Sequence, residues 1–165
     1  METLDKTKLM SIFEDIKEIV EQSRVRIAIY VNAEITSVYW KVGERIRIEI
    51  LKEQRAEYGK KIIKQLSVQI TQTFGSGWSE KHLRHCLRFA ETFPDEKIVS
   101  ALWRQLSWSH IKSISYIEDE LKRMFYIDMC KLEKWSTRTL QERINSVLYE
   151  RTAISKKPEK TIKNE

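Results

Sequence analysis

Residues 60–93 read KKIIKQLSVQITQTFGSGWSEKHLRHCLRFAETF, and this stretch decides the fold. Before the glycines, apolar residues recur every three or four positions, as on one face of an α-helix; they are Ile63, Leu66, Ile70 and Phe74. Gly75-Ser76-Gly77 can adopt the backbone angles of a sharp turn. Ser79 stands where an N-cap belongs, so we expect a second helix from about Glu80 to Thr92. The stretch predicts a helix, a glycine turn and a helix.

Two further apolar stripes with the helical period precede this unit. The first comprises Leu9, Ile12, Phe13, Ile16, Ile19 and Val20, and the second comprises Ile27, Val31, Ile35, Val38, Val42, Ile46 and Ile50. We expect the second stripe to continue from the first with at most a kink near Ser23, and to form the longest helix. The segment RAEYGKK, with Gly59, predicts a break before the next helix.

Beyond the unit, Phe93-Pro94 predicts a helix end, because the residue before proline avoids the helical region. The pattern Ser115-x-x-Glu118 resembles a capping box and predicts a helix that continues to Leu132. Trp135-Ser136 predicts another start, followed by a last stripe of Leu140, Ile144, Val147 and Leu148.

Composition supports a folded, all-α domain. The chain has 165 residues, 41% of them apolar and 33% charged, which is enough for one core. Only 4 Gly and 2 Pro occur, too few for the turns of a many-stranded sheet protein. We expect a multi-helical domain over residues 1–150 and a basic polar tail or linker over 151–165. The N-terminus lacks the apolar run of a signal peptide and no stretch suits a membrane span, so we expect a cytoplasmic protein without a membrane partner.

The net charge of +6 makes a polyanion a plausible partner without identifying one. Residues 151–165 carry +3 of this charge, so half of it falls in the expected tail.

Asp95, Glu120 and Lys122 match the letters of a PD-(D/E)xK nuclease site, yet the pattern argues against one. Such a site needs its carboxylates and lysine to converge on one metal and one phosphate. Glu120 and Lys122 fall within a helical stripe, where residues i and i+2 point in different directions. We therefore interpret these charges as a solvated helix face and expect no catalytic site in this chain.

His82, His85 and Cys86 could share a metal by their helical spacing, but no further ligand at a suitable spacing completes the set, and His110 is alone in another segment. We interpret Cys86 and Cys130 as reduced core residues, and expect neither a metal nor another cofactor. Trp40, Trp103 and Trp108 fall at or near stripe positions and are interpreted as core.

The helix after the glycines has one apolar and one basic face. Leu83, Leu87 and Ala90 would be buried, while Lys81, Arg84 and Arg88 recur at i, i+3 and i+7 on another face. A recognition helix is built in this way, with basic side chains available for phosphates and base edges. Lys60, Lys61 and Lys64 would add backbone contacts from the preceding helix. From these residues alone, an ordinary helical hairpin with a basic solvent face is an equal alternative.

The ordered series VNAEITSVYWKVGERI, YGKKIIKQLS, FGSGWSEKHLRHCLRFAETF, ALWRQLSWSHIKSIS, FYIDMCKLEKWSTRTLQERI and SVLYER resembles the N-terminal domain of the YhcG family of predicted PD-(D/E)XK nucleases. The resemblance spans about residues 25–151. It implies a helical domain with a helix-turn-helix, placed before a C-terminal nuclease domain that the 165 residues do not include. It carries over no catalytic residue.

Two functions follow as expectations. The first is DNA binding that positions a nuclease, with a C-terminal nuclease domain or a separate nuclease as partner. The alternative is an oligomerisation or protein-interaction module in which the long helix, from about Arg24 to Lys52, pairs with a second copy. An enzyme that uses residues 95, 120 and 122 is the weakest alternative.

Overall fold

The computed structural model describes residues 6–53, 56–155 and 162. In these ranges the chain forms eight α-helices and no strand, so the all-α prediction is confirmed. The helices are α1 (Lys6–Glu53), α2 (Ala56–Phe74), α3 (Glu80–Thr92), α4 (Glu96–Leu102), α5 (Trp108–Ile114), α6 (Glu120–Glu133), α7 (Thr137–Asn145) and α8 (Leu148–Ile154).

Helix α1 joins both N-terminal stripes in one element of 48 residues that runs through Ser23. Only its C-terminal half enters the body of the protein, where Thr36, Trp40 and Ile46 are buried. The stripe residues from Leu9 to Val31 are all exposed instead. The periodicity predicted the helix correctly. It did not predict that the first half of the helix lies outside the core.

The most extensive helix pair is α1 with α3. Gly43 makes their close approach possible, because a Cβ atom at this position would lie 1.9 Å from the carbonyl oxygen of Cys86. A hydrogen bond also links the two helices, because the indole Nε1 of Trp40 donates to the carbonyl oxygen of Phe93 at 2.8 Å. The two helices therefore form a rigid centre around which the others pack.

The apolar core has a larger and a smaller cluster. The larger surrounds Phe89 and Tyr126 and brings α1, α3 and α4 together with the C-terminal helices. The smaller consists of Ile46, Ile63 and Leu83 and joins α1, α2 and α3. Helices α1 and α3 both contribute to the two clusters, so their packing joins the two parts of the core.

The break predicted in RAEYGKK does not lie at Gly59. Helix α1 ends at Glu53 and α2 begins at Ala56, so the two helices meet at the start of this segment, where residues 54–55 lie outside the described residues. Gly59 lies inside α2, is buried, and faces Ile50 of α1, whose Cδ1 would be 3.2 Å from an added Cβ. This glycine therefore serves helix packing rather than chain reversal. Phe74, predicted as a stripe residue of this helix, is 74% exposed at its end.

The predicted capping box at Ser115 and Glu118 is also wrong. Ser115 is the C-cap of α5, and its buried hydroxyl donates back to the carbonyl oxygen of Ile111 at 2.7 Å. Asp119 caps α6 instead, accepting from the backbone N–H of Lys122 at 2.7 Å. Ser136 caps α7, as the restart at Trp135-Ser136 predicted.

The last apolar stripe is divided between α7 and α8, because Val147 adopts a left-handed conformation with φ of 50°. Of the predicted tail, residues 156–161 and 163–165 lie outside the described residues. In the described part of the chain, no helix combines the length and the apolar character that crossing a membrane requires.

Candidate nucleic-acid interface

The turn before α3 has the geometry that its glycines predicted. Gly75 and Gly77 have φ values of 87° and 118°, which residues with a Cβ atom rarely adopt. Ser79 then accepts a hydrogen bond from the backbone N–H of His82 at 3.2 Å, which caps the helix. Ser67 of α2 donates to the carbonyl oxygen of Trp78 at 2.9 Å and so holds the turn against α2.

One side of α3 is committed to the core. Leu83, Cys86, Phe89 and Ala90 are fully buried. Leu87, predicted as buried with Leu83 and Ala90, is half-buried against the smaller cluster. What remains for a ligand is a narrow strip along the outer side of the helix.

Lys81, Arg84 and Arg88 lie along this strip but in different environments. Lys81 and Arg84 are exposed, and Arg84 Nη2 lies 3.5 Å from the carboxylate of Glu80. Such an exposed ion pair adds little to stability and leaves the guanidinium able to change partners. Arg88 is half-buried and donates from Nε to the carbonyl oxygen of Ser115 at 3.0 Å. Arg88 is therefore partly a structural residue.

The structure adds His85, Lys112 and Tyr116, which sequence patterns missed. The imidazole Nδ1 of His85 lies 2.8 Å from the hydroxyl oxygen of Tyr116, and Arg88 Cζ lies 5.8 Å from the centre of the Tyr116 ring. His85, Lys112 and Tyr116 also line an open groove of about 330 Å³ between α3, α5 and α7. Nothing local in the sequence of α5 indicates this, because the packing of α5 on α3 alone brings the residues together.

The surroundings of His85 lower its pKa. Burial lowers the pKa first, and the ammonium charges of Lys112 and Lys81 lower it further. Like charges disfavour the protonated imidazole in this way. A lowered pKa favours the neutral imidazole, so the positive charge beside His85 is that of Lys81 and Lys112; these three residues and Arg84 are called the α3 basic edge below.

Acidic residues limit the extent of this region. Glu80 pairs with Arg84, and the charge of Glu91 contributes to the raised pKa of Arg47, after the stronger effect of Glu44. The outer side of α3 therefore carries both signs, and the positive part is the side that faces α5.

Lys60, Lys61 and Lys64 are exposed on α2. Lys61 and Lys64 line a shallow groove with Gln65, Val68 and Gln69, while Ile63 on another side of the same helix is buried. The six predicted DNA contacts thus form two groups, one on each of the two helices that the glycine turn joins. The α2 group is called the α2 lysines below.

The residues considered for metal binding have other roles. The Cys86 sulfur lies 3.6 Å from His82 Nε2, but burial raises the pKa of Cys86 to about 12, which disfavours a thiolate ligand. His82 packs edge-on against Tyr39, with ring centres 4.4 Å apart. His110 belongs to a capping box with Ser107. Over the described residues, no group of three or more potential ligands forms a metal site.

The three residues that match the letters of a PD-(D/E)xK site all lie at the starts of helices. Asp95 caps α4, accepting from the backbone N–H of Lys97 at 2.8 Å. Glu120 and Lys122 lie in the first turn of α6, and Lys122 forms an ion pair with Glu150 of α8. These contacts are those of caps and surface ion pairs.

Comparisons with known proteins agree with the motifs. Residues 15–151 match the family described as the DUF1016 N-terminal domain. The Escherichia coli (strain K12) protein "Putative nuclease YhcG" is 28% identical over 175 aligned positions, which cover 87% of this chain and 46% of that protein. The resemblance to the YhcG family is therefore confirmed, and the chain spans about half the length of this relative. No solved structure matches the chain.

Proposed function

This chain belongs to the DUF1016 N-terminal domain family, and from this premise we propose that it binds duplex DNA and thereby positions a nuclease domain. The proposal has two parts. The DNA contact rests on the α3 basic edge, and the link to a nuclease rests on the relative that bears that name.

The observation that carries the DNA contact is the placement of Lys81 and Arg84 of α3 and Lys112 of α5 around His85. Lys81 and Arg84 are exposed, and Lys112 lines an open groove together with His85. Concentrated positive charge on a surface attracts phosphates and releases their condensed counterions. A phosphate bound here would also lower the repulsion among these three cationic side chains.

The position of the region on the unit supports groove binding. In helix-turn-helix proteins the N-terminal residues of the second helix reach base edges, while the first helix crosses the backbone. Lys81 and Arg84 occupy the first turns of α3, and the α2 lysines lie on the preceding helix. We infer that the former contact bases and phosphates in the groove, and the latter contact the backbone.

The nuclease part assigns catalysis to a chain segment or partner outside these 165 residues. The relative is about twice as long as this chain, and here Asp95 caps α4 while Lys122 is paired with Glu150. The domain would then supply affinity and orientation, and its partner would supply the metal-dependent chemistry.

A salt titration tests the DNA contact. Binding of the full chain to labelled duplex DNA is measured by fluorescence anisotropy over a range of salt concentrations. The variant Lys81→Ala/Arg84→Ala/Lys112→Ala removes three charges from the α3 basic edge. Three lost phosphate contacts should weaken binding and flatten the slope of log affinity against log salt by about 2.7.

The matched control is Lys41→Ala/Lys97→Ala/Arg104→Ala, which removes three exposed positive charges elsewhere. Its change in net charge is the same, so nonspecific attraction falls equally in both variants. The proposal predicts a much smaller loss for the control. Equal losses in the two variants would assign DNA attraction to net charge and contradict an interface on α3.

A further inference from the structure

The first half of α1 carries an apolar stripe that no part of the described structure covers. Six residues share one face of the helix, and we call them the arm stripe: Leu9, Phe13, Ile16, Val20, Ile27 and Val31. Each is between 43% and 60% exposed. At about 100° per residue, all six point within roughly 60° of one another.

This stripe faces away from the body of the protein. Thr36, Trp40 and Gly43, which pack into the body, point about half a turn away from the arm stripe around α1. A second helix could therefore lie along the stripe without meeting the domain that α1 supports. The stripe extends over about 33 Å at 1.5 Å per residue, which is enough for roughly three heptads of helix pairing.

An isolated helical arm of this composition is unfavourable in water. Most helices in proteins derive their stability from packing of an apolar face, and long exposed apolar patches on monomers mark interaction sites. Burial of large apolar side chains is the main favourable contribution to helix pairing, and the arm stripe offers six of them per chain.

The charges beside the stripe identify the occupant. Along one flank, Glu14, Lys17, Glu21 and Arg24 alternate in sign. When a second copy runs in the opposite direction, Glu14 lies near the partner's Arg24, and Lys17 lies near the partner's Glu21. Each pair occurs twice by symmetry. Within one chain, Lys17 and Glu14 form only an exposed ion pair at 3.5 Å, which adds little to stability.

The other flank agrees with the same direction. Asp15 and Arg26 lie there, and reversal of the second copy brings Asp15 near the partner's Arg26. A parallel pair would instead put Arg24 on the same side of the interface as the partner's Arg26, and these are like charges. The pattern is thus complementary to its own reversed copy, as a two-fold symmetric interface requires.

We propose that two copies of this chain associate through their arm stripes as an antiparallel two-helix coil centred near Val20. This interface goes beyond DNA binding and is independent of it. It also differs from pairing along the whole of Arg24–Lys52, because only Ile27 and Val31 of the arm stripe lie in that range, and Thr36, Trp40 and Ile46 further along it are buried in the body of the protein. The two domains would lie at opposite ends of the paired arms.

Size-exclusion chromatography with light scattering on the full chain tests the association. We expect a concentration-dependent species of about twice 19.7 kDa. Ile27→Asp places a charge within the stripe and should give a monomer. Ile29→Asp is the matched control, because Ile29 is 50% exposed but points about 200° away from Ile27 around the helix. It should leave the dimer intact.

Single cysteines test the direction. Near the two-fold axis, Val20→Cys should form a disulfide-linked dimer under mild oxidation, while Leu9→Cys should not, because antiparallel pairing puts the two Leu9 positions about 33 Å apart. The native Cys86 and Cys130 are buried and should stay unlinked. A wild-type chain that is monomeric at about 100 µM, or a dimer that survives Ile27→Asp, would overturn the interface. Efficient linkage through Leu9→Cys would overturn the antiparallel direction. None of these measurements involves DNA.

Discussion

Arg88 Nε donates a hydrogen bond to the carbonyl oxygen of Ser115 at 3.0 Å, and this bond ties the outer side of α3 to the end of α5. The same oxygen accepts a bond from Thr92 Oγ1 at 3.0 Å. The next residue, Tyr116, lies beneath the Arg88 guanidinium and contacts His85. The position of Lys112 in the α3 basic edge therefore depends on a junction that Arg88 helps to hold.

Arg88→Ala should destabilise the fold, whereas Arg84→Ala should not. The first loses a half-buried hydrogen bond and its contact with Tyr116, which together are worth roughly 1–1.5 kcal/mol. The second loses only an exposed ion pair, worth less than about 0.5 kcal/mol. Urea unfolding followed by circular dichroism measures both. Equal stabilities of the two variants would mean that the Arg88 bond contributes nothing to the junction.

Gly43→Ala should be among the most damaging single changes in the chain. The new methyl group would lie 1.9 Å from the Cys86 carbonyl oxygen, so α1 and α3 must separate and their packing is lost. We expect a loss of about 3 kcal/mol or more. Thermal unfolding measures this loss as a lower Tm.

Gly59→Ala serves as the contrast to Gly43→Ala. Its methyl group would meet only the flexible end of Ile50 at 3.2 Å. The better helix propensity of alanine, worth up to about 1 kcal/mol, should offset this contact. A Gly43→Ala chain as stable as the Gly59→Ala chain would show that the two helices can part without cost.

The α2 lysines and the α3 basic edge should affect DNA binding in different ways. Lys60→Ala/Lys61→Ala/Lys64→Ala should weaken binding to all duplexes by a similar factor, because backbone contacts carry no sequence information. Lys81→Ala/Arg84→Ala should also reduce any preference among sequences, because in the proposed complex these residues reach base edges. Competition binding with a pool of randomised duplexes separates the two effects. Loss of preference in the α2 variant alone would reverse the two roles.

Stability should fall as the pH drops below the ordinary histidine range. The pKa values of His82 and His85 are both lowered by burial first; the charges of His85 and Lys112 add to this for His82, and those of Lys112 and Lys81 for His85. Below the unfolded value of about 6.5 the unfolded chain binds more protons than the folded chain, so the free energy of unfolding decreases as pH falls. The contribution of the two residues is fully present above that value.

The measurement is the free energy of unfolding by urea across the range from about pH 7.5 to pH 5, in which ordinary histidines titrate. His82→Gln/His85→Gln removes the two groups, and its curve should be flatter than that of the wild type even when its absolute stability differs. Parallel curves would show that carboxylates alone cause the pH dependence.

Asp95, Glu120 and Lys122, which match the letters of a PD-(D/E)xK site, should not support DNA cleavage by this chain. With Mg²⁺ or Mn²⁺ we expect no cleavage of duplex DNA that depends on Glu120 or Lys122, since Lys122 is engaged with Glu150 and Asp95 caps α4. The assay compares the wild type with Glu120→Ala and Lys122→Ala, with folding checked by circular dichroism. Cleavage abolished in both folded variants would contradict our interpretation of these residues.

The local features of this fold could be predicted from the sequence. Apolar residues at helical spacing indicated the helices, and paired glycines indicated the turn before α3. Ser79 was recognisable as a cap, and Trp135-Ser136 as the start of another helix. All of these depend on interactions within a few residues of the chain, since backbone hydrogen bonds, caps and allowed φ angles are set by neighbours.

Where a local pattern had two possible uses, the prediction failed. Gly59 could allow a turn or a close helix contact, and the packing of α2 on Ile50 selected the contact. Ser115 could cap the next helix or end the previous one, and its burial against Ile111 selected the second. In each case the choice was made by residues that the pattern does not include.

Local patterns along the chain are enough to show that this protein is helical and where its apolar and basic faces lie. What those faces contact depends on the tertiary structure. It buried the second half of α1 against α3 and left the arm stripe uncovered, and it brought Lys112 to His85 from a helix 27 positions further along the chain. The spacing of residues along a helix shows which of its faces is apolar or charged. It does not show what that face contacts, because the contact depends on how separate helices pack.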